Sequence, residues 1–128
     1  QSVGLISPQE VAQKAEYTAF SVIHTDSSTA AANYNISLTQ ITLSENLLSP
    51  YFKWSLLLNN QEIAQGSFAD YDQSGRLQLN SQKLKLPVGQ KDNWVLRVWL
   101  ENDPLIDQNE LLNGSFKAKV TIDVVAQD

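Results

Sequence analysis

The chain has 128 residues, a net charge of −5 at pH 7 and a hydrophobic fraction of 42%. This length suits one domain, and the hydrophobic fraction is too high for a disordered chain. The nine lysines and arginines are scattered, which argues against the basic patch that a nucleic-acid partner requires. No apolar run approaches the roughly twenty residues that cross a bilayer. We therefore expect one globular domain, without a nucleic-acid partner and without a membrane span.

The chain contains no cysteine and no methionine. Without cysteine there is no disulfide, no thiolate metal site and no thiol nucleophile. A chain that starts at Gln1 and lacks an initiator methionine is typical of a product from which a leader has been removed, although a cloned fragment starts in the same way. We expect a secreted or cell-surface protein.

The N-terminal segment combines an apolar lead with a helix start signal. Val3, Leu5 and Ile6 form the lead. Residues 7–10 read Ser-Pro-Gln-Glu, the order of capping serine, first-turn proline and acidic third residue that defines a capping box. We predict a short helix over residues 8–16. The alternative is an extended arm that becomes ordered only against a neighbouring molecule.

The first half of the chain then predicts four strands. Residues 17–25 are apolar on both faces, which is typical of a strand covered on both sides. Residues 33–43 alternate but shift phase once, as a β-bulge produces. Residues 51–58 and 61–68 predict a hairpin around Asn59-Asn60, because asparagine tolerates the positive φ of a two-residue turn.

The second half predicts three more strands. Residues 76–86 alternate with an interruption near their middle, and residues 93–100 and 115–125 alternate over longer runs. The fold class is therefore all-β. We predict a two-sheet antiparallel β-sandwich, jelly-roll or immunoglobulin-like, with about seven strands. An N-terminal arm over residues 1–16 precedes a sandwich domain over residues 17–128.

One loop resembles the start of a calcium-binding loop. Asp70, Asp72, Ser74 and Gly75 stand at the first, third, fifth and sixth positions of that pattern, where oxygen ligands converge on one ion. The twelfth position is Ser81 instead of a bidentate glutamate. A polar turn between strands has the same composition, so calcium is the weaker alternative.

The loop between the last two strands is acidic, with Glu101, Asp103, Asp107 and Glu110. Paired carboxylates can bind a metal or act as acid and base, but nothing in the sequence fixes their separation, and a solvated loop has the same composition. His24, the single histidine, has no serine or cysteine motif beside it and is interpreted as a structural residue. We expect no enzymatic activity and no cofactor apart from the calcium alternative.

A surface for a partner or ligand is predicted on the penultimate strand. Val95, Arg97 and Trp99 alternate with its core-facing residues and share the outer face. An exposed tryptophan there could stack on a sugar ring or anchor a partner. We prefer the interpretation that protein covers Trp99, because an outward Val95 beside it would otherwise form an apolar patch in water.

Five strand-like runs carry a resemblance to a known family: residues 34–38, 52–56, 63–68, 94–100 and 113–120. Together they resemble small bacterial surface β-sandwich proteins and, more distantly, the TasA/camelysin family of biofilm-matrix subunits. Members of that family assemble into fibres in which the N-terminal segment of one subunit completes the sheet of the next. The resemblance implies a donated arm over residues 1–16, whereas the capping box favours a helix in the same segment.

The function expected from these features is that of a structural subunit of an extracellular filament or biofilm matrix. An apolar arm that pairs with the open sheet edge of another copy makes a homopolymer, and Val3, Leu5 and Ile6 would be its inserted residues. The alternative is a surface adhesion or carbohydrate-binding module that presents Trp99 or the loops at one end of the sandwich.

Overall fold

The computed structural model describes residues 5–24, 31–81, 84–87 and 89–125. These parts are mostly β-structure, with two sheets and few helices. The strands are β1 (Leu5–Ile6), β2 (Glu16–Ile23), β3 (Ala31–Leu43), β4 (Phe52–Leu58), β5 (Gln61–Ser67), β6 (Leu77–Gln78), β7 (Leu84–Pro87), β8 (Lys91–Glu101) and β9 (Phe116–Val125). Helix α1 spans Val11–Lys14, and 3₁₀ turns span Pro8–Glu10, Glu45–Leu47 and Asn109–Leu111.

The strand count is nine in the described ranges, so the expected count of about seven was too low. Two features make the difference. The segment expected as one interrupted strand forms β6 and β7, and the apolar lead contributes the two-residue β1. Neither β1 nor β6 is long enough to show an alternating pattern, so the sequence did not indicate either of them as a strand of its own.

The first sheet is built around β8. Strand β4 pairs with one edge of β8 over Trp94–Leu100, and β5 follows β4 through the predicted hairpin. Strands β1 and β2 share the opposite edge, because both pair with β8 residues that β4 also faces. Every pairing is antiparallel except that of β1 with β8.

The second sheet is built around β3. Strand β9 pairs with one edge of β3, and β6 and β7 pair with successive parts of the other. The register between β3 and β9 shifts between Thr39 and Thr42, and Gln40 has a φ of 51°. Both observations confirm the predicted bulge. The hairpin turn is also confirmed, since Asn59 and Asn60 have φ values of 50° and 70°.

Apolar side chains between the two sheets form the core. The most deeply buried members are Tyr34, Ile36, Leu38, Leu47, Phe52, Leu56, Phe68, Leu86, Trp94 and Leu100. Phe52, Phe68 and Phe116 pack as a ring cluster with centroid separations of 4.7 to 5.3 Å. This cluster joins β4 and β9, so the sheets pack face to face as in a sandwich.

Asn80 adds side-chain hydrogen bonds to β3 in the gap between β6 and β7, next to the backbone bond from the Leu79 N–H to the Ile36 carbonyl. Its Oδ1 accepts from the backbone N–H of Ile36 at 2.8 Å, and its Nδ2 donates to Oδ1 of Asn35 at 2.9 Å. The amide group is buried, with 4% of the residue exposed. The interruption predicted near the middle of residues 76–86 is therefore a side-chain bridge to β3.

Candidate functional site

The N-terminal arm lies on the edge of its own sheet. Leu5 pairs with Leu100 and Ile6 pairs with Glu101, both in parallel, and the backbone N–H of Asn102 donates to the carbonyl of Ile6 at 2.8 Å. Leu5 is 36% exposed and Ile6 is half-buried. The third predicted arm residue, Val3, lies outside the described residues.

The helix predicted after this lead is confirmed over residues 8–14, as one 3₁₀ turn followed by α1. The capping contact differs from the usual box, because Ser7 Oγ donates to the Glu10 carboxylate at 2.6 Å instead of accepting from a backbone N–H of the first turn. Lys14 forms an ion pair with Glu10 at 2.6 Å. A hydrogen bond from Lys14, a second from Ser7 and the Lys14 charge lower the pKa of Glu10. Neither helical turn contains a buried residue.

Trp99 lies where this segment leaves the sheet. Ile6 pairs with Glu101 and Glu16 pairs with Val98. Residues 7–15, which connect these two pairs, therefore leave the β8 edge and return to it beside Trp99. Trp99 is only 7% exposed, and its Nε1 is buried without a hydrogen-bond partner among the described residues. Its ring is covered by protein and cannot stack on a sugar in this conformation.

The other members of the predicted partner surface, Val95 and Arg97, are half-buried on the same outer face. They face Ala19 and Tyr17 of β2 across the sheet. Tyr17 is 70% exposed and Ile23 is 58% exposed, so the expectation that β2 is covered on both sides is wrong for this chain. Only its inner residues reach the core, and the outer face of β2 remains open to solvent.

The two sheets separate along one side and leave a cleft of about 420 Å³. It lies between β2 and β9 and is lined mainly by apolar side chains, with Leu38 and Leu96 at its base and Ala118 and Val120 on the β9 wall. The small side chain of Ala118 keeps this wall low. Beyond their pairings with β8 and β3, neither β2 nor β9 has a further strand neighbour in the described chain. Two adjacent sheet edges are therefore open.

Sequence reasoning missed this cleft. Alternation correctly predicted which residues of β9 face inward, but it does not say which strands are neighbours across the sandwich. The only signal in the sequence was that 115–125 is long, lacks proline and glycine, and carries lysines on one face. Lysines on a strand face are one way in which proteins protect an open edge.

The loop considered for calcium forms a polar turn. Asp72 Oδ1 accepts from the backbone N–H of Ser74 at 3.0 Å, and the Tyr71 hydroxyl accepts from the N–H of Gly75 at 2.7 Å. The hydrogen bonds from Ser74 lower the pKa of Asp72. Within the ranges given above, no group of three or more histidine, cysteine, aspartate or glutamate side chains could hold a metal ion.

The acidic loop after β8 is held by its own contacts. Glu101 pairs with Lys53 at 2.6 Å, and the Tyr51 hydroxyl donates to Asp103 at 3.0 Å, which raises the pKa of Tyr51. Asp107 accepts from the backbone N–H of Asn109 at 3.0 Å. Each of these three carboxylates thus has a hydrogen-bond or ion-pair partner within the protein.

Buried Gln108, which sequence reasoning missed, fastens the same loop. Its amide nitrogen Nε2 donates to the carbonyl of Glu101 at 2.9 Å, and its amide oxygen Oε1 accepts from the backbone N–H of Asp103 at 2.8 Å. The leucines of this loop differ in burial, since Leu111 is buried while Leu105 is 90% exposed. Glu110 contributes its carbonyl, which accepts from Asn46 at 3.0 Å.

His24 continues the end of β2. Its backbone N–H donates to the carbonyl of Gln90 at 3.3 Å, and its carbonyl accepts from the N–H of Gly89 at 3.0 Å. These contacts close the turn between β7 and β8 against β2, which is a structural role.

None of the helices in the described ranges has the length and apolar character needed to cross a bilayer. Comparison with known proteins gives no relationship: no family model, curated protein or solved structure matches this chain.

Proposed function

We propose that this chain is a structural subunit of an extracellular filament or biofilm matrix, joined to its neighbours by donation of the N-terminal arm. The fold that we infer for the subunit is a two-sheet antiparallel β-sandwich with one parallel arm strand. The observation that carries the proposal is the attachment of β1. The described part of the arm, from Leu5 onward, occupies the edge of β8 through two residue pairs, and the same segment of another copy can occupy that edge with the same contacts.

Exchange of the arm between copies restores the strand pairings that each copy gives up. Because the acceptor edge is identical in every copy, the Leu5–Leu100 and Ile6–Glu101 pairings that are lost in one chain are regained in the next. The connecting turns contain no buried residue of their own. Straightening them would uncover Ala15 and Trp99, which are buried at and beside this segment but do not belong to the core between the sheets. The arm can therefore leave its own sheet without unfolding the core.

The geometry of exchange favours a chain of subunits. A donor segment at one place and an acceptor edge at another make a head-to-tail contact, which propagates when its rotation does not close a ring. Main-chain hydrogen bonds of the kind that Asn102 makes to Ile6 would form the joint. We propose that this polymer is secreted or lies at the cell surface.

Deletion of residues 1–7 tests the proposal. We expect the full chain to form filaments visible by electron microscopy and the deletion variant to remain unpolymerised. A matched control, Leu105→Ser, removes a more exposed leucine outside the arm and should polymerise normally. Thermal melting of the deletion variant checks that its core is still folded.

Mixing the two proteins gives a sharper readout. The deletion variant keeps the acceptor edge but cannot donate, so it should terminate growing chains and shorten filaments in proportion to its share of the mixture. Filaments of unchanged length in such mixtures, or polymers formed by the folded deletion variant alone, would show that the arm is not the joint.

A further inference from the structure

The outer edge of β9 is self-complementary. Lys117 and Lys119 lie toward one end of its outer face and Asp123 lies toward the other. When two such strands run antiparallel about a twofold axis at Thr121, Lys119 of each stands opposite Asp123 of the other. We propose that this chain forms a twofold dimer with a second copy by antiparallel pairing of the two β9 edges in this register.

The edge is available for such pairing. Strand β9 pairs with β3 on one side over Asn33–Leu43, and its other side has no strand neighbour in the described ranges. With ten residues, β9 is longer than most edge strands, and it contains neither proline nor a strand-breaking glycine. An edge of this length is a template for another strand, and the identical strand of a second copy fits it without any change of fold.

The inner face of β9 gives the second argument. Val124 faces inward, since its partner on β3 is the buried Tyr34, yet Val124 is 76% exposed. In the proposed register the partner's Val124 stands opposite Ala118, at the low wall of the cleft between β2 and β9. Each copy therefore covers the cleft of the other with a valine that is otherwise bare to water.

A register in which the partner strand is shifted by two residues is less favourable. It would place Lys117 opposite the partner's Asp123, which also pairs charges, but it would bring the partner's Val124 against Phe116. The Phe116 ring packs against Phe52 and Phe68 at 5.2 and 5.3 Å and also lines the cleft, but this large side chain leaves less room for a valine than Ala118 does. The register about Thr121 satisfies the charges and the cleft together.

Asp123 already forms an ion pair with Arg76 of its own chain. Both side chains are partly exposed, at 39% and 52%, so a lysine can approach the same carboxylate from the open edge. The resulting Lys–Asp–Arg group alternates charge across the interface and is compatible with pairing.

Charge reversal with rescue tests the register, and sedimentation velocity over a range of concentrations measures the dimer dissociation constant. Lys119→Glu places a glutamate opposite Asp123 of the other copy, and the twofold axis repeats this repulsion once more. We expect the dimer dissociation constant to rise about tenfold. Asp123→Lys should act in the same direction, and the double variant Lys119→Glu/Asp123→Lys should restore the dimer. Lys117→Glu is the matched control and should leave the constant within about twofold, because its opposite position is uncharged Val125.

Cross-linking gives an independent readout. The chain has no cysteine, so Thr121→Cys introduces a single thiol that meets its own copy on the twofold axis and should give a disulfide-linked dimer on oxidation. Ser21→Cys, exposed on the β2 edge, is the control and should not cross-link.

Three outcomes overturn the proposal: a chain that stays monomeric at millimolar concentration, a dimer insensitive to both reversals, or a double variant that fails to recover. Loss of the dimer in Lys117→Glu but not in Lys119→Glu overturns the register. This interface does not depend on arm donation. The variant lacking residues 1–7 should still form the dimer, so failure of either proposal leaves the other open to its own test.

Discussion

Trp94 and Tyr34 connect the two sheets through one buried hydrogen bond. The indole Nε1 of Trp94 on β8 donates to the hydroxyl of Tyr34 on β3 at 3.0 Å, and that hydroxyl donates to Asp92 at 2.6 Å. The two rings meet edge to face with centroids 6.4 Å apart, and each residue is 1% exposed. A polar group at the centre of an apolar core is satisfied here by a partner from the opposite sheet, which fixes how the sheets face each other.

We predict that Tyr34→Phe lowers the free energy of unfolding by about 1–3 kcal/mol, because it leaves the Trp94 N–H buried without an acceptor. Urea denaturation at neutral pH measures the change. Tyr17→Phe removes the same hydroxyl from a residue that is 70% exposed and should stay within about 0.5 kcal/mol of the natural chain. Equal effects of the two substitutions would contradict the role assigned to the Tyr34 hydroxyl.

The same pair predicts an alkaline pH dependence. Burial, followed by the hydrogen bond to Asp92, raises the pKa of Tyr34 well above its usual value of 10.0. Stability from the protonated hydroxyl is complete below pH 10, and it declines at higher pH because the unfolded chain ionises first. The stability gap between the natural chain and Tyr34→Phe should therefore narrow from about pH 10 upward. A stability difference that widens above about pH 10 would contradict a raised pKa of Tyr34 in the folded chain.

Gly66 allows Trp54 to lie across the neighbouring strand. The two residues pair directly on β4 and β5, and a Cβ added to Gly66 would lie 2.9 Å from Cζ2 of the Trp54 ring. Because Trp54 is 6% exposed and has little room to move, we predict that Gly66→Ala costs about 1–3 kcal/mol of stability. Near-ultraviolet circular dichroism should show a displaced indole. Gln65→Ala, on the exposed face of the same strand, is the control and should change neither quantity.

Asn80 supplies a further test of buried polar contacts. Asn80→Leu removes the side-chain oxygen that accepts from the Ile36 N–H and should destabilise the chain by about 1–3 kcal/mol. Asn35→Ala removes only the outer Asn35–Asn80 hydrogen bond, so its cost should be smaller, about 1 kcal/mol or less. Thermal unfolding compares the two, and hydrogen exchange at Ile36 should accelerate only in Asn80→Leu. The reverse order of stability would mean that the bridge to Asn35 is the stronger one.

Acid should loosen the N-terminal helix. Contacts with Lys14 and Ser7 lower the pKa of Glu10, so their stabilising effect is present above its usual value of 4.5 and is lost as pH falls through the lowered pKa. Hydrogen exchange at Ala15, whose N–H donates to the carbonyl of Val11 at 3.0 Å, should accelerate in that range. In Glu10→Gln the exchange rate at Ala15, corrected for intrinsic pH dependence, should be insensitive to acid. If arm donation joins the subunits, filaments of the natural chain should also form faster in acid.

The sequence predicted the features that depend on local pattern. Strict alternation located β8 and β9, the phase shift located the bulge at Gln40, and two asparagines located the turn after β4. These features follow from side-chain direction and backbone φ, which adjacent residues determine. The helix after Ser7 was predictable for the same reason, since its start signal lies within four residues.

Features that depend on distant neighbours were not predictable in this way. The apolar outer face of β2 indicated cover on both sides, yet Tyr17 and Ile23 are exposed, because cover depends on which element packs there. Cover over Trp99 was expected from the sequence, and the residue is 93% buried, but periodicity did not indicate that a segment from the start of the chain lies beside it. The cleft between β2 and β9 required knowledge of strand order, which periodicity does not contain.

The unequal attachment of β1 and β2 to β8 has a mechanical consequence. A pull applied at Leu5 loads two residue pairs, whereas β2 is held by eight. The weaker contact should peel away first, and the released residues 5–15 can extend by up to roughly 35 Å before tension reaches β2. A filament of such subunits would therefore stretch reversibly at the contacts between subunits. Extension of the N-terminal arm would keep the applied force away from the core of each subunit.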